Sequence, residues 1–285
     1  MNPRIKMKIK SMFIGGLIVF ILVVFLIPIL WMLFTSIRPE IDVFARPPVW
    51  KPRNLNFSTY AAVLGLKSEL EKSVSILDYF LNSIIVSVLS VTFAMVVALP
   101  ASFGFARFNF KGKYGVFLSM MLFRAVPGVA LSLPLFILLG RLRLIDTKLA
   151  LIITFTALNI PFSIWLMDTF FRDIPIELEE AAQIDGCSHF QIFFKISLPL
   201  VRPGIGAAGI FAFLTSWNEF AITSIITRTS AARTLTVGLY DFTTRFTVDW
   251  RSMCAVGFFM LLPAFIFTLI VQKHLIRGLT FGAGK

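Results

Sequence analysis

Six long apolar runs, nearly free of charge, constrain this chain more than any other feature: residues 12–34, 80–106, 114–139, 149–167, 204–226 and 253–271. Each is near or above the roughly 20 residues that a helix needs to cross about 30 Å of hydrocarbon. The runs are continuous and do not alternate with a period of two, which excludes a transmembrane β-barrel. The first run, Met12 to Phe34, holds 17 residues of the Leu, Ile, Val and Phe type. At about 0.3–0.6 kcal/mol each, these favour insertion by roughly 5–10 kcal/mol. The basic lead MNPRIKMKIK could open a secretory signal, but the run exceeds the usual length of one and no small-x-small cleavage site follows, so it reads as a retained span.

Composition agrees, with 57% hydrophobic and 15% charged residues and a mean hydropathy of +0.85, outside the range of soluble domains of this length. The five later runs contain Pro, Gly or polar residues that neighbouring helices must accommodate. The expected fold class is therefore all-α, a polytopic membrane protein with six transmembrane helices packed as a bundle.

Six spans place both termini on one side. The dense cluster Arg4, Lys6, Lys8 and Lys10 assigns that side to the cytoplasm, because the long loop 35–79 carries its basic residues thinly and long loops translocate largely regardless of charge. The net charge of +12 comes without a basic stripe interleaved with aromatics outside the spans, so contact with anionic membrane lipid is expected and nucleic acid is not. Cys187 and Cys254 form no CxxC pair, and His189 and His274 lack companions at ligand spacing, so no metal site is expected. RPPVWKP and NFSTYAAVLG, in the first long loop, suit either an ordered segment that touches a soluble partner or a plain spacer.

Between the fourth and fifth runs lies FFRDIPIELEEAAQIDGCSHFQIFFKISLPLVRPGI. Asp173 is expected to cap a helix with Pro175 and Glu177 in its first turn, where fixed φ and negative charge suit the positive end of the dipole. The helix runs over 176–184, and Gly186 supplies a left-handed stop. A second helical stretch, 188–196, is ended by Leu198-Pro199. Glu177 and Glu180 share one face at i, i+3, with Ala181 beside them. On pattern alone, that helix suits an interfacial role or a docking role.

EAAQIDG, followed after nine residues by Ile196-Ser197-Leu198-Pro199, resembles the EAA loop of the membrane subunits of ATP-binding-cassette importers, EAA-x-x-x-G-x(9)-I-x-LP, at every fixed position. PLFILLGRLRLIDTKLALI, IPFSIWLMDTFFRDIPIELEEAA and SWNEF are similar to the carbohydrate-uptake branch, in particular to the second permease of maltose-type and glycerol-phosphate-type importers. The resemblance covers 78–272. It implies the type I importer permease fold, with an N-terminal part at 1–77, a permease core at 78–272 that holds the EAA loop at 173–203, and a cytoplasmic tail at 273–285. It also implies that Glu180, Ala181, Ala182, Asp185 and Gly186, with Glu177, couple the chain to a separate ATPase. The implied partners are a second, unlike permease, two ATP-binding subunits and a periplasmic solute-binding protein, in a bacterial inner membrane. Two departures stand out. The chain ends GLTFGAGK where GLTAGAVKG is common, and Arg141-Leu142-Arg143-Leu144 brings two cations and no Gly before Leu144.

The chain has no phosphate loop of its own. Gly112-Lys113 has Arg107 at the first-glycine position and Tyr114 after the lysine, and Gly284-Lys285 has no hydroxyl after it. No cofactor is expected on this chain; ATP and Mg belong to the partner subunits. Arg124 and Glu219 fall inside apolar runs, where a charge costs about 2.5–3.5 kcal/mol on insertion scales. Together with Asn159, Trp217 and Asn218 they are candidates for lining a translocation path, because aromatic and amide groups hold sugars by stacking and hydrogen bonding. They equally suit a structural ion pair, or snorkelling of Arg124. Phe103 and Phe105 read as packing. The rivals are an ion-coupled secondary transporter with Glu219 as the titrating group, for which no inverted repeat is visible, and a membrane enzyme, for which no catalytic constellation is visible.

Overall fold

The computed structural model describes residues 3–50, 54–65, 76–243 and 248–281, with side chains described between 12 and 270. The N-terminal basic cluster and Gly284-Lys285 fall outside the described side chains. Among the described residues there are helices, connecting turns and one isolated bridge, Thr243 to Val248. In chain order the helices are α1 (Pro3–Ile37), α2 (Glu40–Val43), α3 (Ser58–Val63), α4 (Ile76–Arg107), α5 (Lys113–Ala125), α6 (Gly128–Arg141), α7 (Lys148–Arg172), α8 (Ile176–Ile184), α9 (His189–Ile192), α10 (Leu198–Leu200), α11 (Arg202–Trp217), α12 (Ala221–Ile226), α13 (Leu235–Gly238) and α14 (Trp250–Phe281).

Four helices are long and apolar enough to cross a membrane unbroken: the 12–37 part of α1, α4, α7 and the 250–270 part of α14. Two bent helix pairs, 113–141 and 189–217, bring the candidate spans to as many as the six read from the sequence if each pair counts as one, although the second pair starts in the polar link and not at residue 204. The run 114–139 was expected as one helix, but α5 and α6 meet at 98°. The cause is local: Val126 precedes Pro127, which pushes it out of the helical region, and its ψ is 125°. The run 204–226 is also divided, since α11 stops at Trp217 and α12 restarts at Ala221. At its other end α11 turns by 76° from the helical stretch 189–200.

The chain divides into two compact units, 1–76 with 239–261 and 77–238 with 262–285. In the first, the end of α1 is tied to α3 by a hydrogen bond between Ser36 Oγ and Tyr60 Oη at 2.7 Å, and Arg251 donates to Thr59 Oγ1. Arg38 lies over Trp31 and donates to Val49 O. The apolar side chains of α1 from Met12 to Leu30 are exposed, as suits a helix whose solvent is lipid or another subunit.

In the second unit, α7 runs through the middle, with half of its apolar window buried. One core lies toward its start, where Leu151 and Phe155 pack with Val86, Leu139, Ile222 and Ile226. Another lies toward its end, where Met167 and Phe171 pack with Met95, Phe103, Phe193 and Ala208. Gly204 lets α11 approach α7 closely: a Cβ there would come within 2.5 Å of the Phe170 ring. With 25 residues at 1.5 Å each, α7 is about 37 Å long, enough to cross a hydrocarbon layer of about 30 Å from one face to the other.

Candidate functional site: the loop after α7

The polar link forms two short helical pieces joined by a tight turn, with local causes that differ in part from expectation. Asp173 does not cap α8. It closes α7, its N–H bonding to Thr169 O, and Pro175 takes the cap position of α8 with no side-chain bond. At the far end, Gly186 has φ of +85° and completes a Schellman motif: its N–H bonds Gln183 O, and Cys187 N–H bonds Ala182 O. Ser188 then opens α9 with a capping box closed by Gln191. Leu198-Pro199 does not end this stretch. A π-helical turn at 193–197 shifts the hydrogen-bond register, Pro199 sits in the first turn of α10, and the chain bends only at Val201.

The faces of α8 are unlike. Glu177, Glu180, Ala181 and Ile184 follow the i, i+3, i+4, i+7 spacing and are exposed, Ile184 by 86%, as are Asp185 and Gly186 in the turn. Ala182 faces inward and is buried. Also buried is Glu179, which the sequence reading passed over. Its carboxylate accepts from Arg107 Nε at 2.8 Å and from Ser197 Oγ at 2.9 Å, and Arg107 donates further to Ile174 O at 3.0 Å. One carboxylate thus clamps α8 to the end of α4 and to the π turn. The available signal was a lone cation closing the second run and Glu179 sharing a side of the helix with Ala182 at i, i+3. A second pair, Arg172 to Asp168, fixes the last turn of α7, where Arg172 also donates to Phe105 O.

The charges expected inside the spans both lie where spans break. Arg124 occupies the last turn of α5, is exposed, donates to Leu158 O at 3.3 Å and lies 4.9 Å from the Phe162 ring centre. Glu219 lies between α11 and α12. Its carboxylate accepts from Ile222 N, Thr223 N and Thr223 Oγ1 at 3.0–3.2 Å and so anchors the N-terminus of α12, where negative charge is favoured. Arg124 and Glu219 form no ion pair with each other among the described residues. Asn218 is exposed and closes α11 by donating to Leu214 O. Asn159 and Trp217 are buried: Asn159 Nδ2 donates to Ser216 Oγ, which also meets Ser90 Oγ, and Trp217 stacks on Phe213. These two hold α4, α7 and α11 together, while Arg124, Asn218 and Glu219 are the members that reach a surface.

The opposite end of α7 carries a second knot. Asp146, with φ of +60°, accepts from Arg228 N, Thr229 N and Thr229 Oγ1 at 2.6–3.0 Å and ties the α6–α7 turn to the segment after α12. Desolvation alone would raise its carboxyl, but these hydrogen bonds and the nearby Arg233 hold it below the usual carboxylate value.

The chain is similar to known proteins. The "Probable ABC transporter permease protein y4oR" of Sinorhizobium fredii is 36% identical, over 92% of this chain and 91% of that protein. The "Diacetylchitobiose uptake system permease protein DasC" of Streptomyces coelicolor is 30% identical, over 95% of each. A solved structure described as a "bacterial ABC transporter involved in the import of the acidic polysaccharide alginate" superposes with a TM-score of 0.76 at 22% identity, over 93% of this chain and 96% of that chain, and so shares the fold. Residues 90–281 match the family described as "Binding-protein-dependent transport system inner membrane component". The chain belongs to that family, as an inner-membrane permease component of an ATP-binding-cassette transporter.

Proposed function

We propose that this chain is one of two unlike permease subunits in an ATP-driven importer for a sugar or a sugar-like solute. A pair of ATP-binding subunits hydrolyses ATP with Mg on the cytoplasmic side, and an external solute-binding protein delivers the cargo. Both chain termini then lie in the cytoplasm. The carbohydrate class is supported by the diacetylchitobiose relative, which matches along nearly its full length.

The observation that carries the reading is the clamped helix α8. Its outer face, Glu177, Glu180, Ala181, Asp185 and Gly186, stands free, while Glu179 and Ala182 fasten its inner face to the bundle. A helix held in this way transmits a push without absorbing it. Ala181 keeps the face low enough for a partner's backbone to approach, and Ile184 offers an apolar anchor to it. Closing and opening of the ATPase pair would then rock α7 and its neighbours as a rigid body. Arg124, Asn218 and Glu219 lie at the two breaks in the spans, positions suited to the translocation path, with Asn159 and Trp217 bracing the helices behind them.

Uptake of radiolabelled disaccharides, diacetylchitobiose among them, into vesicles holding the complete complex tests this. Uptake is expected with ATP and binding protein present and all ion gradients collapsed. Uptake driven by a proton or Na⁺ gradient without ATP would overturn it.

A further inference from the structure

α6 and α8 end in the same Schellman motif. In α6, Arg143 N–H bonds Gly140 O at 3.1 Å, Leu144 N–H bonds Leu139 O at 2.9 Å, and Leu144 packs on the core that holds Leu139. The residue after the cap must adopt the left-handed conformation, and glycine does so freely. At the end of α8 that residue is Gly186; at the end of α6 it is Arg143, with φ of +57°. A long side chain with a Cβ is strained there. Among the described residues nothing offsets the strain: the Arg143 side chain is exposed and has no hydrogen bond or ion pair there.

The surroundings give that position a purpose. Arg141, two residues earlier at the end of α6, is also exposed and unpaired among the described residues. Arg228 is exposed, with its guanidinium 5.7 Å from the centre of the Phe136 ring, and Lys148 opens α7 next door. The acidic residue of this knot, Asp146, already spends both oxygens on Arg228 N, Thr229 N and Thr229 Oγ1. It fixes the two loops to each other and leaves the arginine charges unanswered. The patch lies at the end of α7 opposite α8, hence on the membrane face away from the ATPase in the proposed reading.

We propose that Arg143, with Arg141 and Arg228, forms an electrostatic docking point for an acidic surface of the external solute-binding protein. This rests on the importer reading above. Fixed cations on a rigid loop steer an oppositely charged partner and set its register, and such attraction weakens as salt rises. Arg143 holds this left-handed turn with its side chain exposed.

The test uses the complete complex in proteoliposomes, with the binding protein that supports uptake of the identified sugar, and reads ATPase stimulation against binding-protein concentration. Arg143→Gly removes both charge and strain, Arg143→Gln removes the charge alone, and Arg143→Lys keeps the charge. Half-saturation is expected to need at least threefold more binding protein for the Gly and Gln variants and to stay near the parent value for Lys. The difference should shrink between about 50 and about 300 mM NaCl. Arg143→Gly is expected to melt no lower than the parent, which separates the effect from misfolding. Unchanged half-saturation for the Gly and Gln variants would overturn the proposal, as would a changed KM for the sugar alone, which would give the cations to an acidic solute. A parent complex that no binding protein stimulates would bring down the importer reading as well, an outcome distinct from a stimulated parent with indifferent variants.

Discussion

The clamp under α8 yields the sharpest stability prediction. Arg107 and Glu179 are 10% and 6% exposed at the side chain and 2.8 Å apart. Replacing Arg107 by Ala leaves the Glu179 carboxylate buried with Ser197 as its remaining donor and deprives Ile174 O of its bond. Removing one partner of a buried pair costs about 3–5 kcal/mol, most of it the penalty of an uncompensated buried charge. At roughly 2–4 °C per kcal/mol, the lower figure corresponds to a fall in Tm of about 6–12 °C. Glu179→Gln keeps the acceptor for Ser197 and loses the charge, for a cost of about 1–2 kcal/mol. The double variant Arg107→Met with Glu179→Leu should return most of the lost stability, because two apolar side chains can replace a buried pair at little net cost. The two readouts, thermal melting and the ratio of sugar imported to ATP hydrolysed, should part company in the double variant. Stability recovers, while the import ratio stays low, because the directional tie between α8, α4 and the π turn is gone. A loss under about 1 kcal/mol for Arg107→Ala would refute the claim that this pair holds the loop.

Gly204→Val should disrupt assembly of α11 on α7, since even a Cβ meets Phe170 at 2.5 Å; overpacking of this kind costs about 1–3 kcal/mol and is measurable by melting or protease sensitivity. Gly186→Ala places a side chain at φ of +85° and should cost about 1 kcal/mol by melting, with nothing nearby to clash. Asp146 is held below its usual value, so the folded state prefers it charged: its contribution is complete above the ordinary value of 3.8 and fades as pH falls through the lower folded value. The stability gap between the parent and Asp146→Asn should therefore be widest near pH 7 and narrow as the pH is taken below about 4, followed by melting across that range.

Much of this was legible because the dominant physics is a length rule. Runs of about 20 apolar residues fix the spans whatever their neighbours do, and the EAAQIDG turn follows from one glycine with no steric choice to make. Hydropathy does not show where a span bends. Arg124 and Glu219 look like expensive mid-membrane charges in the linear chain, yet one sits at the break that Pro127 causes and the other supplies the cap that makes the second break possible. Asp173 was misjudged because an acidic residue before Pro175 suits a cap by type, whereas the fold spends it at the end of α7. Glu179 was missed because its value depends on Arg107, 72 residues earlier, which no periodicity connects to it. Arg143 was noticed only as an odd cation; the left-handed backbone beneath it is what makes it informative.

The most direct measurement is photo-crosslinking from the outer face of α8. In a complex whose permease carries Cys187→Ser and Cys254→Ser, Ala181→Cys is labelled with a benzophenone maleimide and irradiated. A single adduct with the ATP-binding subunit is predicted, formed in higher yield in one nucleotide state than the other, while the same label at buried Ala182→Cys gives little. No adduct with the ATP-binding subunit from position 181 in any nucleotide state, in a complex that still imports sugar, would contradict the idea that α8 is where the motor grips.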